Sequence, residues 1–267
     1  MPGLNLSFLY SLLFWPSSRA EILKRRNTQL HLLVKFAYEA VPYYRTLFDK
    51  AGLRPEDIRD RKDLNRIPFT SKADYEKFPR EDFVNPKARK LYSRWTSGSS
   101  GKTFEVRRSL TEEYLMGCHK WRLLASFGVR PFDRVARIGH ISDSTAPPRF
   151  LRYLRLCGFP VIERISSLSP ARDIITRLCR FRPDVIQAHP STLVNLSDFL
   201  TDRDLQIIQP RFIAMGGETI TKSMRGRIAE TFSCRVIEVY GSHELNWIAV
   251  ECPRTGLFHI SDNTVKF

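Results

Sequence analysis

The sequence is poor in cysteine and has no closely spaced cysteine pair. The five cysteines are odd in number and scattered, and none of them forms a CxxC motif. This usage argues against a secreted disulfide framework, because such frameworks use an even number of cysteines at regular spacings. A reducing compartment is favoured, and we expect a cytoplasmic protein.

The sequence also lacks an apolar run long enough to span a bilayer. Its most apolar stretch, residues 4–15, is interrupted by Asn5, Ser7 and Ser11, and a spanning helix requires roughly 20 apolar residues. It has no basic segment of the kind that begins a signal peptide. Two interpretations stay open: a docking helix or loose terminus, or a peripheral membrane contact aided by the basic residues 24–26.

Acidic residues are scarce relative to basic ones. Twenty-eight Asp and Glu face 43 Lys and Arg, which gives a formal charge of +15 over 267 residues. Such a surface favours anionic partners, among them nucleotides, nucleic acid, phospholipid or an acidic coenzyme. The absence of helix-turn-helix, zinc-finger and RRM motifs argues against sequence-specific nucleic-acid recognition. With 42% hydrophobic residues, the chain has the composition of a folded protein.

Short β-branched or apolar runs alternate with amphipathic helices after Trp95, whereas the preceding part is mainly helical. The candidate strands are 134–139, 161–164, 185–188, 212–216 and 235–240. Strands alternating with helices predict an α/β fold with a helix-covered, mainly parallel sheet. We expect residues 1–90 to form a helical segment packing on an α/β core of residues 91–267.

Helix boundaries are indicated by capping residues and prolines. Pro42 is expected to end the first long helix. Ser109 with Glu112 forms a candidate capping box, and Ser191 and Thr221 occupy candidate N-cap positions. Ser169 precedes Pro170, which is expected at a first helical position.

A loop rich in glycine and hydroxyl groups follows Trp95. Small residues let backbone N–H groups approach an anion, hydroxyls donate to its oxygens and lysine adds a positive charge. The spacing differs from the P-loop GxxxxGK[ST], since two residues separate the glycines. A phosphate-binding loop and a flexible polar hairpin both stay open. The residues are Thr96, Ser97, Gly98, Ser99, Ser100, Gly101, Lys102 and Thr103.

A second cluster, Gly216, Gly217 and Glu218, lies at the carboxyl end of a predicted strand. A backbone without side chains could lie flat against a planar ring, or simply turn sharply into the next helix. Ligands on parallel sheets bind at this edge. The residues alone leave both interpretations open.

A third cluster follows the strand 235–240 and contains Tyr240, Gly241, Ser242, His243 and Glu244. An aromatic face can stack on a base, and a carboxylate beside phosphates commonly holds Mg²⁺. These residues leave the sheet together at its ligand-binding edge. The cluster therefore predicts a nucleotide and magnesium site.

Cys252 and His259 form a candidate metal pair. Thiolate and imidazole are zinc ligands, but two ligands do not complete a zinc site. Structural packing and a bound Zn²⁺ both stay open.

Taken together, these clusters resemble the adenylate-forming enzyme superfamily, specifically its phenylacetate-coenzyme A ligase-like branch, which includes relatives from capsular polysaccharide biosynthesis. Further motifs add to the resemblance, which covers the chain from about residue 30 to its last residue. These are VPYYR at 41–45, IPFTSK at 67–72, AHPS at 188–191, EC at 251–252 and GLFH at 256–259.

The resemblance implies a ligase that uses ATP and Mg²⁺ to convert a carboxylic acid, by family default aromatic, into an acyl-adenylate, followed by thioester formation with coenzyme A. Residues 96–102 would wrap the phosphates, with Lys102 among them. Gly216, Gly217 and Glu218 would border the adenine, Tyr240 would stack on it and Glu244 would ligate Mg²⁺. Phe127, His140, Ile141 and His189 are candidates for lining the acid pocket.

The sequence departs from the family pattern in two places. Position 243 is His where the family commonly has Thr or Ser, so an imidazole would make the α-phosphate contact. The ribose-binding aspartate, the hinge and the mobile C-terminal domain with its catalytic lysine would lie beyond Phe267. The resemblance therefore implies a truncated core, an inactive relative or half of a split enzyme whose C-terminal domain is a separate chain.

A different class of function also stays open. In residues 149–155, RFLRYLR, arginines recur every third residue beside aromatic residues. Such a cationic helix face suits a lipid surface or a nucleic-acid backbone. The alternative is a basic binding protein without catalysis.

Overall fold

The computed structural model describes residues 18–95, 104–140 and 161–260. The chain forms two compact units. The first holds the described residues up to Lys120 together with His243–Leu245, and the second holds Trp121–Ser242 and the described residues from Asn246 onward. The domain boundary expected near residue 90 stays a prediction.

The first unit is built from helices and one β-hairpin. Helix α1 begins after Ser18, whose side chain accepts a hydrogen bond from the backbone N–H of Glu21. It ends at Ala40 because Pro42 cannot continue it, as predicted. The helices are α1 (Arg19–Ala40), α2 (Pro42–Lys50), α3 (Asp74–Lys77) and α4 (Leu110–Ser126, which continues into the second unit), with 3₁₀ turns at Pro55–Asp57, Arg61–Arg66 and Arg80–Phe83. Strands β1 (Leu91–Trp95) and β2 (Glu105–Ser109) pair antiparallel.

A small apolar core stabilises the first unit. Leu30 and Val34 of α1 are buried, whereas Leu33 is exposed. The helical residues pack with Phe48, Leu53 and Ile58, which follow the turn at Pro42.

The second unit contains a seven-stranded sheet. Its order is β4-β3-β5-β6-β7-β8-β9. The strands from β4 to β7 run parallel, and β8 and β9 are antiparallel to their neighbours. The strands are β3 (Arg134–Gly139), β4 (Val161–Ser166), β5 (Val185–Ala188), β6 (Phe212–Gly216), β7 (Arg235–Ser242), β8 (Asn246–Glu251) and β9 (Phe258–Ile260).

This sheet confirms the predicted α/β class with a mainly parallel sheet. Strands β3, β5 and β6 have the predicted bounds, whereas β4 and β7 each end later, at Ser166 and Ser242. β7 is longer because its end pairs with β8, a contact that local patterns do not encode.

Helices bury both faces of this sheet. We call one the α5 face, which packs against α5 (Ala171–Phe181), α6 (Pro190–Ser197) and α8 (Lys222–Phe232) through residues such as Ile186, Met215, Leu178 and Leu193. We call the other the α4 face, where Val185, Ala214 and Val239 pack with Leu123 and Leu124 of α4. No described helix is both long and apolar enough to cross a membrane.

The strand order reverses beside β3. β4 lies on one side of β3, and β5, which follows β4 in the chain, lies on the other. In open α/β sheets, ligands bind outside the carboxyl ends of the strands at such a reversal. The topology therefore directs attention to the carboxyl ends of β3 and β5.

Two predicted caps are confirmed and two helix starts differ. Ser109 and Glu112 form the reciprocal capping box, and Thr221 accepts a hydrogen bond from the N–H of Met224. Ser191 is not an N-cap: α6 begins at Pro190 with His189 as its N-cap, and the Ser191 hydroxyl donates to Glu218 instead. Helix α5 begins at Ala171, with Pro170 as its N-cap.

Helix α7 (Asp202–Ile207) generates the first testable prediction. Asp204 accepts hydrogen bonds from the N–H and hydroxyl of Thr201 at 3.0 and 2.8 Å, which, with Arg172, lower the pKa of its carboxyl to about 2. Asp204→Ala should lower the free energy of unfolding by about 1 kcal/mol at pH 7. Urea unfolding measures this, with Asp202→Ala as the control.

The difference should persist at pH 5 and shrink below about pH 4. A carboxyl with a depressed folded-state pKa stabilises the fold above its unfolded pKa, and this stabilisation is lost as pH falls toward about 2. A difference between Asp204→Ala and wild type that is the same at pH 7 and pH 2.5 would contradict this account.

Candidate functional site

The ends of β5 and β6 are joined by a hydrogen bond. His189 directly follows β5, and Gly216 is the last residue of β6. The Nδ1 atom of His189 lies 2.9 Å from the carbonyl oxygen of Gly216. Because a carbonyl can only accept, Nδ1 carries the hydrogen and donates it. In the neutral imidazole, Nε2 is then left as an acceptor at the carboxyl edge of the sheet.

Gly217 lies directly against the His189 ring. Its φ is +85°, and an added Cβ would come within 2.6 Å of Cε1 and 2.8 Å of Nδ1 of His189. Both the backbone conformation and the space therefore require glycine. At Gly216 an added Cβ would collide with the carbonyl oxygen of Val239 on β7. The two glycines keep this edge free of side chains.

Glu218 ties the loop after β6 to the first turn of α6. Its carboxylate accepts hydrogen bonds from the backbone N–H and the hydroxyl of Ser191 at 3.1 and 2.9 Å. A carboxylate at a helix N-terminus also interacts favourably with the helix dipole. Two separate contacts, one at His189 and one at Ser191, thus fix the two loops against each other.

Tyr240 is an exposed aromatic residue on the neighbouring strand. In the parallel register Gly216 is opposite Val239, so Tyr240 lies one residue beyond it on β7. The Tyr240 residue is 60% exposed. The pairing with β8 shifts between Tyr240 and Gly241, a β-bulge, and an added Cβ on Gly241 would collide with the Asn246 carbonyl oxygen. Such bulges redirect side chains near functional sites.

His243 and Glu244 lie in the turn between β7 and β8, directly after Ser242. This turn is grouped with the first compact unit. There, burial raises the pKa of the Tyr75 hydroxyl, and the negative charges of Tyr44 and Glu244 add to that rise. The phosphate and magnesium roles of His243 and Glu244 stay predictions.

Several predicted site residues fall outside the described part of the chain. These are the loop Thr96–Thr103, Ile141 of the expected acid pocket and the arginine-rich stretch 149–155. The phosphate role of Thr96 to Lys102 and the alternative of a basic binding surface therefore stay predictions.

Cys252 and His259 do come together, as a hydrogen-bonded pair. The pKa of the Cys252 thiol is lowered to about 6 by hydrogen bonds from the Thr255 hydroxyl, the Arg254 N–H and His259. The turn is closed by the Gly256 N–H donating to the Cys252 carbonyl at 2.9 Å. A zinc site is not supported, since the described residues contain no group of three or more potential ligands.

Two hydrogen-bond contacts of the site were not predicted from the sequence. The pairing of His189 with Gly216 could have been expected, because His189 follows β5, Gly216 ends β6 and the two strands are neighbours. The role of Thr255 in stabilising a Cys252 thiolate had no local signal, because it depends on a tight turn returning to β9.

Gly217→Ala should disturb the site while leaving most of the fold intact. The strained φ costs about 1–2 kcal/mol, and the added methyl would displace His189 from Gly216. Gly226→Ala is the matched control, since its added Cβ meets no described atom within 4 Å and it lies within helix α8. Chemical denaturation should show destabilisation for Gly217→Ala and stabilisation of about 0.5–1 kcal/mol for Gly226→Ala. Equal effects of the two substitutions would contradict the assigned role of Gly217.

Cys252 should react as a thiolate at a lower pH than Cys234. Burial raises the pKa of the Cys234 thiol to about 11, whereas that of Cys252 is about 6. The rate of iodoacetamide labelling, followed by peptide mass spectrometry, should have its midpoint for Cys252 near pH 6. Thr255→Val removes the hydroxyl donor and should raise that midpoint. An unchanged midpoint would exclude the Thr255 hydroxyl as a stabilising donor.

No family model matches the chain. Curated proteins named phenylacetate-coenzyme A ligase are similar to it. The protein from Thermus thermophilus is 26% identical over 85% of this chain and 51% of its own length. The Escherichia coli protein is 28% identical over 88% of this chain and 55% of its own length. This chain therefore spans about half the length of the curated relatives it matches.

Solved structures of 2-hydroxyisobutyryl-CoA ligase share the fold. An open conformation in complex with 2-HIB-AMP and CoA matches with a TM-score of 0.74 at 18% identity, covering 92% of this chain and 59% of the other. The postadenylation state with 2-HIB-AMP matches with a TM-score of 0.75 at 16% identity over the same share of this chain and 57% of the other. The resemblance indicated by the motifs is confirmed: this chain is similar in sequence to curated phenylacetate-coenzyme A ligases and shares the α/β fold of solved acyl-coenzyme A ligases.

Proposed function

We propose that this chain forms the nucleotide- and acid-binding part of an ATP-dependent ligase that activates a carboxylic acid as its acyl-adenylate, with coenzyme A as the acceptor. The observation that carries the proposal is the edge formed by His189, Gly216 and Gly217 beside the exposed Tyr240. The names of the curated relatives support the same reaction class.

The glycine edge and Tyr240 suit an adenine ring. A purine is flat and apolar on its faces, so it requires an aromatic surface and a backbone without side chains. Tyr240 offers the first, and Gly216 with Gly217 offers the second. In this proposal the base stacks on Tyr240, and Glu218 keeps the Gly217 loop in place through Ser191.

The phosphates and magnesium would be held by residues identified from sequence. The loop Thr96–Lys102 supplies backbone N–H groups, hydroxyls and the Lys102 ammonium for the phosphate oxygens. Glu244 supplies one carboxylate, and Mg²⁺ is usually bound by one or two carboxylates together with substrate phosphates. The bound ion would neutralise negative charge on the phosphates.

The reaction requires charge stabilisation and alignment rather than an enzyme nucleophile. A carboxylate oxygen attacks the α-phosphorus, the bond to the bridging oxygen breaks, and pyrophosphate leaves with the electron pair. The coenzyme A thiolate then attacks the acyl carbon and AMP leaves. His243 and Lys102 would contact the phosphate oxygens on which charge accumulates, and preorganised donors at such positions account for much of catalysis.

The charge of the chain is suited to these reactants. ATP, a carboxylate and coenzyme A are all anionic, and the chain carries a formal charge of +15. Excess positive charge raises the rate of encounter with anionic ligands, most strongly at low salt. We propose an aromatic acid as the substrate, with Phe127, His140 and His189 near the acid.

Tyr240→Ala should weaken ATP and AMP binding to a similar extent. Loss of one aromatic stacking partner costs about 1–3 kcal/mol, which is roughly a 5- to 150-fold rise in Kd. Tyr240→Phe keeps the ring and should bind both nucleotides nearly as well as wild type. Isothermal titration with Mg²⁺ present measures these affinities.

Tyr92→Ala, a substitution of another exposed tyrosine, is the control and should leave affinity unchanged. Absence of nucleotide binding by the folded wild-type chain at millimolar concentrations would overturn the proposed function. Binding that is insensitive to Tyr240→Ala would remove Tyr240 from the adenine site.

A further inference from the structure

Gln187 is a buried polar residue with an unused donor. It lies on β5 in the centre of the sheet and is 6% exposed. Its side-chain Nε2 atom is buried and has no hydrogen-bond partner among the residues that the structure describes. An amide NH₂ group can donate two hydrogen bonds.

A buried donor without a partner lowers the stability of the fold. Burying a polar atom without a partner costs the desolvation of that atom, and most buried polar groups are therefore paired. An apolar residue would pack well at this position, as Val185 does two positions earlier on the same face of the strand. The unpaired donor can therefore bond a ligand that reaches this face of the sheet.

Small residues lie near Gln187 on its β6 side and toward the carboxyl edge. Gln187 is in register with Arg137 on β3, which is exposed, and with Ala214 on β6, whose side chain is a single methyl group. One step further toward the carboxyl edge, β3 and β6 end in Gly139 and Gly216. An added Cβ on Gly139 would meet no described atom within 4 Å. Ala214 and Gly139 therefore place no bulky side chain between the amide and the carboxyl edge on the α4 face.

The position coincides with the reversal of strand order. β3, which ends at Gly139, and β5, which carries Gln187, are the two strands at which ligands are expected. Gln187 precedes His189 by two residues, which is about 7 Å along a strand. A ligand that reacts at the carboxyl edge would therefore reach Gln187 with its far end.

We propose that Gln187 selects the acid substrate by donating a hydrogen bond to an oxygen at the end of the acid remote from its carboxylate. The preferred substrate is then a carboxylic acid that carries a hydroxyl, carbonyl or ether oxygen, rather than its unsubstituted analogue. This inference rests on the proposed function, since it assumes that the carboxylate is activated at the edge near His189. A site built to bond a substrate polar group discriminates strongly against an analogue lacking it, because the protein donor is then left unpaired.

The test compares matched acyl-adenylate mimics that differ only by an oxygen. Phenylacetyl sulfamoyladenosine is paired with its 3- and 4-hydroxyphenylacetyl forms, and isobutyryl with 3-hydroxyisobutyryl sulfamoyladenosine. For the wild-type chain, isothermal titration should show a hydroxylated mimic binding about tenfold or more tightly than its unsubstituted partner. Gln187→Leu should abolish that preference, mainly by weakening the hydroxylated mimic.

Two further variants keep the test decisive. Gln206→Leu makes the same change at an exposed glutamine of α7 and should retain the preference. Gln187→Met replaces the amide by an unbranched apolar side chain. It is the variant used to test the preference if Gln187→Leu does not fold. Both Gln187 variants should melt no lower than wild type, because they remove an unpaired buried donor.

The outcomes separate the inference from the function on which it rests. If no mimic of either series binds wild type, the proposed function fails and the inference fails with it. If mimics bind but hydroxylation gives no advantage, or the advantage survives Gln187→Leu and Gln187→Met, the function stands and the role of Gln187 is overturned.

Discussion

Burial of both faces of the parallel sheet is the constraint on which the rest of the second unit depends. Helices cover the α5 face and the α4 face, so the side chains in the middle of β5 and β6 are apolar apart from Gln187. Polar side chains then have a low desolvation cost only at the strand ends, where water or a ligand can reach them. The candidate binding residues accordingly lie at the ends of β5, β6 and β7, and Gln187 is the exception within β5 and β6.

The same constraint explains which elements the sequence predicts well. Strands β5 and β6 are continuous apolar runs bounded by polar or glycine residues, so their ends can be read locally. The end of β7 cannot, because residues 241 and 242 are polar or small and become strand only by pairing with β8. Long-range pairing is the information that a local pattern lacks.

Ser191 and Cys252 show the corresponding limit for the site. Residue type and spacing predict an N-cap for Ser191 and leave structural packing and a bound Zn²⁺ both open for Cys252. Ser191 instead donates to Glu218 from the next strand's loop, and Cys252 accepts hydrogen bonds within its own turn. In both cases the donor or acceptor that decides the role is brought in by the fold. Residue type therefore predicts that these two side chains form polar interactions, but it does not predict their partners.

Two hydrogen-bond contacts between the β5 and β6 loops make the edge more rigid than either loop would be alone. The imidazole of His189 is fixed by the Gly216 carbonyl, and the Glu218 carboxylate is fixed by the first turn of α6. Each bond crosses from one strand's loop to the other, so displacement of either loop would break both. A surface fixed in this way binds a rigid ring without first ordering its own backbone, which lowers the entropic cost of binding. The backbone at Gly216 and Gly217, which carries no side chains, can therefore serve as a preformed surface. The exposed side chain of Tyr240 is the part of this edge that can still change its orientation.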